Sequence, residues 1–335
     1  MLQQNESMGE ARAVVPRWIH RLTIGTLLLT LGLILWGGVV HSTGSSLACP
    51  DWPLCYGEVF PDMRGGIAIE HGHRLLASLV GLFTVILAIG LHRHATRQPL
   101  EPRSKRLAAM SKLAVLLVIF QGVLGGITVI YKLPLAISSA HLATSMLFSM
   151  LLVAMAYATR APRALVLLPA RIKATTGWIG LASAAVLVQI VLGALVRHTG
   201  SGLACGLDIL RCEGVWWPDW GPAQLHMVHR FGAALVFLLV TATAGRVLWF
   251  ARGNPELRPL RFVARAQFML VIIQGLLGML NILTYLRVAS VTAHLAIGAL
   301  LLCNTLFFYL VLRSSPPQPI GSSSLMAPSA VKATA

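Results

Sequence analysis

The chain has 335 residues, of which 56% are hydrophobic and only 11% charged. Ordinary soluble domains carry about 25% charged residues, so this composition excludes a soluble globular protein. The formal net charge of +16 invites a nucleic-acid reading, which the placement of the basic residues excludes.

A helix needs roughly 20 apolar residues to cross the hydrocarbon core, and lipid offers no partners to unpaired backbone groups, so each span must be helical. Residues 1–17 read as a cytoplasmic N-terminal tail. The first span, about 18–40, is too long for a cleavable signal peptide, and His41 to Pro50 lacks an obvious small-x-small processing site. A loop of roughly 41–70 follows, carrying His41, Cys49, Cys55 and Trp52, and the second span, 71–92, opens on Glu70-His71-Gly72-His73-Arg74. Arg93, Arg97, Arg103, Lys105, Arg106 and Lys112 fill the connection to the third span, 111–131, which contains Gln121-Gly-Val-Leu-Gly125. The fourth span, 138–159, opens on Ser139-Ala140-His141-Leu142-Ala143, and residues 161–176 form a linker.

The same features then return. The fifth span is 177–197, followed by a loop of 198–225 with His198, Cys205, Cys212, Trp216, Trp217 and Trp220. The sixth span, 226–250, opens on His226-Met227-Val228-His229-Arg230. Arg258, Arg261 and Arg265 precede the seventh, 262–285, with Gln274-Gly-Leu-Leu-Gly278, and the eighth, 290–312, opens on Thr292-Ala293-His294-Leu295-Ala296. Residues 314–335 read as a flexible tail rich in Ser, Pro and Ala. His41-Ser-Thr-Gly-Ser-Ser-Leu-Ala-Cys49 aligns with His198-Thr-Gly-Ser-Gly-Leu-Ala-Cys205 if one residue is inserted. The expected fold is an all-α integral membrane protein of eight transmembrane helices. They form two tandem four-helix bundles, 18–160 and 177–313, related by a pseudo-two-fold axis along the membrane normal.

Most Lys and Arg fall on the even-numbered connections and the tails, so the positive-inside rule puts both termini in the cytoplasm and both long loops outside. That is the plasma-membrane arrangement of a multi-pass prokaryotic protein, and the loop tryptophans fit an interfacial belt. Four of the five cysteines lie in the outer loops. An oxidising face favours a local disulfide in each; zinc and reactive thiols are the alternatives, though the tight Cys-x-x-Cys spacing usual for zinc is missing. Cys303 reads as a small buried apolar residue.

The second, fourth, sixth and eighth spans all start on the outer side, which brings His73, His141, His229 and His294 to one depth. A lone membrane histidine is commonly a satisfied hydrogen-bonding residue, but four in duplicated contexts point to ligands inside helical bundles, and imidazole is a good haem-iron ligand. His71 points elsewhere on its helix, His41 and His198 suit structural roles in the loop entrance, and His20, His92 and His94 lie on the cytoplasmic side. Ionisable groups within a membrane mark function, and Glu70 shares a helix face with His73, where it could act as a base, position water or stabilise a developing cation. Its structural alternative is an i,i+4 pair with Arg74. The second half has His226 at the place of Glu70, and Arg74 and Arg230 are candidates for haem propionates.

In Glu-x-x-His-Arg, the two Ala-His-Leu-Ala contexts and the cysteine loops, residues 18–313 resemble the heme A synthase family. The resemblance implies oxidation of a methyl group of heme O to the formyl of heme A, through successive hydroxylations, for terminal oxidases. It implies that Glu70 is the catalytically important acidic residue and that His73 and His141 frame the substrate haem. His229 and His294 then hold a heme B cofactor, and Cys49–Cys55 and Cys205–Cys212 are disulfides. The partners it implies are heme O and heme A, with heme O synthase and terminal oxidase assembly factors beside them. One departure is the second loop, which reads Cys205-Gly-Leu-Asp-Ile-Leu-Arg-Cys212 where the first reads Cys49-Pro-Asp-Trp-Pro-Leu-Cys55. A bis-haem electron-transfer protein of the cytochrome b kind is the competing reading, and a duplicated transporter a more distant one. Neither uses Glu70 or the cysteine loops.

Overall fold

The computed structural model describes residues 15–161 and 167–318. Residues 1–14 and 319–335 of the expected tails, and 162–166 of the expected linker, lie outside the described residues. The helices are α1 (Arg17–Ser42), α2 (Gly65–Arg97), α3 (Pro102–Ile130), α4 (Leu135–Thr159), the short α5 (Ala170–Lys173), α6 (Thr176–His198), α7 (Gly221–Phe250), α8 (Arg258–Leu283) and α9 (Val288–Ser314). Eight of them, all but α5 on its own, are long and apolar enough to cross a membrane. Among the described residues there is no strand, only isolated bridges.

The helices run beyond their apolar stretches, most visibly at the starts of α2, α3 and α7. At α3 the Glu101 side chain accepts from Ser104 N–H at 2.8 Å and Pro102 sits in the first turn, both standard ways to start a helix. Hydropathy is blind to such polar turns, so Glu70 and His226 lie inside α2 and α7 and not at their entrances.

Packing follows small and apolar stripes. In α1 the inward positions Ile19, Thr23, Thr26, Thr30 and Ile34 recur every three or four residues. The threonine hydroxyls donate back to carbonyls of the preceding turn, so burial leaves no donor orphaned. Residues such as Leu116, Leu235 and Phe262 point outward and are well exposed, as expected of surfaces that meet lipid. In the first group α1 packs on α2, α2 on α3, α3 on α4 and α4 on α1, and α6–α9 close the same ring. Contacts of α1 with α9, α4 with α6 and α4 with α9 join the groups, through a core that includes Ile34, Met146, Val186, Ala299 and Leu302.

At the end opposite the cysteine loops, cations close two helices. Arg103 donates from Nε and Nη2 to Ala158 O at the end of α4 and from Nη2 to Arg160 O. Lys173 Nζ donates to Leu312 O, Arg313 O and Ser315 O at the end of α9. Residues 315–318, expected as the start of a free tail, instead pair with the linker: Leu168 N–H donates to Pro316 O, and Gln318 N–H to Leu168 O.

Candidate functional site

Each of the four histidines faces a glycine on the helix that precedes its own. A Cβ built on Gly37 of α1 would lie 3.2 Å from His73 Cε1, and one on Gly193 of α6 would lie 3.0 Å from His229 Cε1. The distances are 3.5 Å from Gly125 of α3 to His141 Cε1 and 3.4 Å from Gly278 of α8 to His294 Cε1. The glycines therefore let the rings lie against bare backbone. His73 and His141 are within electrostatic range of each other inside α1–α4, as are His229 and His294 inside α6–α9. Nδ1 of His73, His141 and His294 is buried without a hydrogen-bond partner. Buried nitrogens without partners are costly, and paired imidazoles in bundle interiors suit iron ligation. The residues present fit a haem in each group.

The environments differ. Gln189 Nε2 of α6 lies 2.9 Å from His229 Nδ1 and donates to His229 O at 2.7 Å. Gln274 Nε2 lies 3.2 Å from His294 Nε2, so ligation through that nitrogen would displace the amide. Gln121, at the place of Gln274, bonds instead to His141 O and Thr144 Oγ1. Among the described residues, no hydrogen bond reaches the ring nitrogens of His73 or His141. Gln189 escapes sequence reasoning that follows the histidine repeats; its signal is a glutamine in an apolar span where the repeat has Leu33.

Glu70 is 4% exposed, and both its oxygens are engaged. Oε1 accepts from Arg74 Nη2 at 2.6 Å and Oε2 from Cys49 N–H at 2.8 Å. Arg74 also donates from Nη1 to Asp51 O and Leu54 O, and from Nη2 to Cys49 O. It is thus the post around which the first cysteine loop is wound, the structural partner foreseen at i,i+4. Arg230 has no such post to serve. It reaches Arg211 O from Nη1 at 2.8 Å, while Nε and Nη2 are buried without partners.

Cys49 and Cys55 form a disulfide, as do Cys205 and Cys212. His71 approaches within 4.8 Å of both sulfurs of the first pair. With those sulfurs bonded to each other they are not thiolates, and the zinc alternative falls away. His71 Nε2 instead meets Val59 O at 2.8 Å. In the second group Met227 takes the corresponding place and packs with Cys205, Cys212 and Ala223.

Each disulfide is followed by a tight turn with two positive φ angles, Tyr56-Gly57 and Glu213-Gly214, the geometry of a type I′ hairpin. An aspartate anchors each turn. Asp51 accepts from Gly57 N–H and Tyr56 N–H, and chiefly the Gly57 bond holds its pKa below the ordinary carboxylate value. Asp208 is lowered likewise, first by Arg211 N–H. Trp52 lies across α3 so closely that a Cβ on Gly126 would come within 2.7 Å of its ring. Trp216 stacks on Phe231. Both loops sit on the helix ends that bear the histidines.

The structure also corrects the repeat register. Gly44 and Gly200 are both left-handed and both precede a 3-10 turn, Ser45–Leu47 and Ser201–Leu203. Thr43 pairs with Ser45 as Thr199 pairs with Ser201. The segments therefore align without insertion from Gly37 to Cys49, so that His41 corresponds to Arg197 and Ser42 to His198. The extra residue lies inside the second disulfide, whose partners are 7 residues apart against 6 in the first. His41 and His198 are not repeat equivalents; they touch each other. His20 bonds to Thr159 Oγ1 at the far end, away from the site.

The sequence matches the COX15-CtaA family model, described as cytochrome oxidase assembly protein, over residues 20–68 and 64–306. It is 32% identical over 307 residues to the heme A synthase of Halalkalibacterium halodurans, covering 88% of this chain and 98% of that protein. The heme A synthase of Symbiobacterium thermophilum is 33% identical over 287 residues, with coverage of 82% and 89%. That of Shewanella oneidensis is 29% identical over 345 residues, with coverage of 89% and 97%.

Proposed function

The chain belongs to the COX15-CtaA family of cytochrome oxidase assembly proteins, and from that premise we infer that it oxidises a methyl group of heme O to the formyl group of heme A. It is a multi-pass membrane oxidoreductase of prokaryotic type. The observation that carries the site is the set of four half-buried histidines, paired within each helical group and each set against a glycine.

The first group takes the substrate. His73 and His141 would grip heme O, their rings free of the amide contacts seen in the second group. Glu70 would stand beside it as the catalytic carboxylate. An ionised carboxylate offers about four lone-pair sites, and Arg74 and Cys49 N–H occupy two of them, so Glu70 is held in place with capacity left to accept a proton. The second group holds a resident heme B on His229 and His294, which would supply one-electron redox chemistry when bound. Gln189, bonded to His229 O and 2.9 Å from His229 Nδ1, would set the orientation of that ring. Ligation of iron through Nε2 puts the ring proton on Nδ1, which the Gln189 Oε1 would accept once the amide turns, as outer partners of metal-ligating histidines do. A permanent cofactor suits such a pre-set ligand, and an exchanging substrate suits looser ones. Arg230, with two buried unpartnered nitrogens, is the stronger propionate donor of the arginine pair; the Nη donors of Arg74 are largely taken up by the loop.

The same proposal includes the pseudo-two-fold relation of residues 18–160 and 177–313, supported by the matching ring order of the helices. It also places the disulfide loops on the outer side and the termini in the cytoplasm, supported by the Lys and Arg distribution. A supplier of heme O and terminal oxidase assembly factors are its partners. Pigment extraction from purified protein tests the whole: heme B together with heme O or heme A is the expected content. Heme B alone would favour electron transfer, and colourless protein would remove the haem reading.

A further inference from the structure

Where the two helical groups meet, at the loop end, three basic side chains converge with no acid among them. His41 lies at the end of α1, and Arg197 and His198 close α6. The imidazoles of His41 and His198 meet edge to face with centroids 5.1 Å apart. His198 Nδ1 pairs with Ser139 Oγ of α4 at 3.0 Å, and Arg197 Nη2 reaches Ser42 Oγ at 3.5 Å. Arg197 Nε is buried with no partner. Among the described residues, the ion pairs are Arg64–Asp62 and Arg74–Glu70, so no carboxylate neutralises Arg197. A guanidinium drawn into an apolar bundle needs an anion or a full set of acceptors. One long contact to a hydroxyl supplies neither. The cluster is a cation site without its anion.

Its location identifies the anion. Gly37, against the His73 ring, lies about one helical turn before His41 on α1; Gly193, against the His229 ring, lies about one turn before Arg197 on α6. One turn advances about 5.4 Å. The cluster therefore sits just beyond both candidate iron ligands, toward the loops and on the seam between the groups. A porphyrin carries its two propionates on one edge, within reach of a group displaced by about a turn from the axial ligand. We propose that Arg197, flanked by His41 and His198, binds a propionate of the haem held by His229 and His294. A planar guanidinium matches a carboxylate with two parallel hydrogen bonds. This rests on the haem reading of the second histidine pair. It makes the seam an anchor for the cofactor edge, shared by both groups because His41 comes from the first and Arg197 from the second.

The test is a redox titration of the haem in full-length protein purified as it is made, comparing wild type with Arg197→Gln and Arg197→Lys. Loss of a cation beside the porphyrin edge favours the ferric state, so Arg197→Gln is expected to lower the midpoint potential and Arg197→Lys to keep most of the wild-type value. A potential unchanged in Arg197→Gln overturns the proposal. Should Arg197→Gln fail to assemble, wild-type protein reconstituted with heme B dimethyl ester carries the test. Removing the carboxylates should weaken binding by about tenfold or more, the scale of a charge-assisted hydrogen bond, and equal affinity overturns the proposal. Protein that binds no haem at all overturns the underlying haem reading instead, so the two failures are distinguishable.

Discussion

Adding one methyl group at Gly193 should weaken haem binding at the second site without unfolding the protein. The new Cβ would lie 3.0 Å from His229 Cε1, inside the about 3.5–4.0 Å optimum for carbon contacts. The ring cannot step aside freely, because Gln189 holds Nδ1 at 2.9 Å. Overpacking of this kind costs about 1–3 kcal/mol, and every 1.4 kcal/mol is about tenfold in affinity. Gly193→Ala should therefore lower second-site haem affinity by about 5- to 150-fold. Gly125→Ala is the internal control, since its Cβ would sit 3.5 Å from His141 Cε1, an ordinary contact. The assay is haem per protein by pyridine haemochrome in detergent, at matched expression and with a thermal melt to confirm folding. Equal haem content in the two variants, or loss only in Gly125→Ala, would refute the claim that these glycines cradle the rings.

Other consequences are open to measurement. Glu70→Gln should keep its haem while heme A formation collapses; normal heme A output would remove Glu70 from the chemistry. Gln189→Leu, which installs the first group's residue, should weaken haem binding in the second group by about 10–100-fold, the usual effect of losing an outer partner of a metal ligand, and unchanged content would deny Gln189 that role. The lowered pKa of Asp51 means that its contribution to the first loop is fully present above the ordinary carboxylate value and is lost as pH falls through the depressed one. Reduction of Cys49–Cys55 by a water-soluble phosphine should accordingly stay slow down to the ordinary carboxylate value of 3.8 and speed up only below it. In Asp51→Asn the slow regime should vanish, and a variant with the wild-type profile would contradict this.

The spans were legible because lipid imposes one length and one secondary structure, so hydropathy suffices. Their ends were not: the polar first turns of α2, α3 and α7 are invisible to an apolar count, which displaced Glu70 and His226 to the helix entrances. Candidate ligands could be read because duplication repeats them, yet the same habit hid what is not duplicated. Gln189 has no glutamine counterpart, and its contact with His229 is a matter of three-dimensional reach. The register of His41 is not legible from residue identity, which pairs His with His at the cost of an insertion; the left-handed glycines Gly44 and Gly200 fix the alignment through backbone shape. For Glu70 the sequence offered both a chemical role and a pair with Arg74, and the folded loop makes that pair while adding Cys49 N–H. The choice depended on where residues 49–54 place their carbonyls, which follows only from the closed loop.

The clamps formed by Arg103 and Lys173 join two requirements that are usually separate. Helix ends leave carbonyls without partners, and positive charge there is favourable. Both clamped helices, α4 and α9, carry a candidate iron ligand near the opposite end, His141 and His294. In the proposed orientation, the cations that mark the cytoplasmic side are thus also the stoppers that keep these two rods from fraying. Neutralising either would slacken the far end of the rod whose near end carries the proposed imidazole ligand.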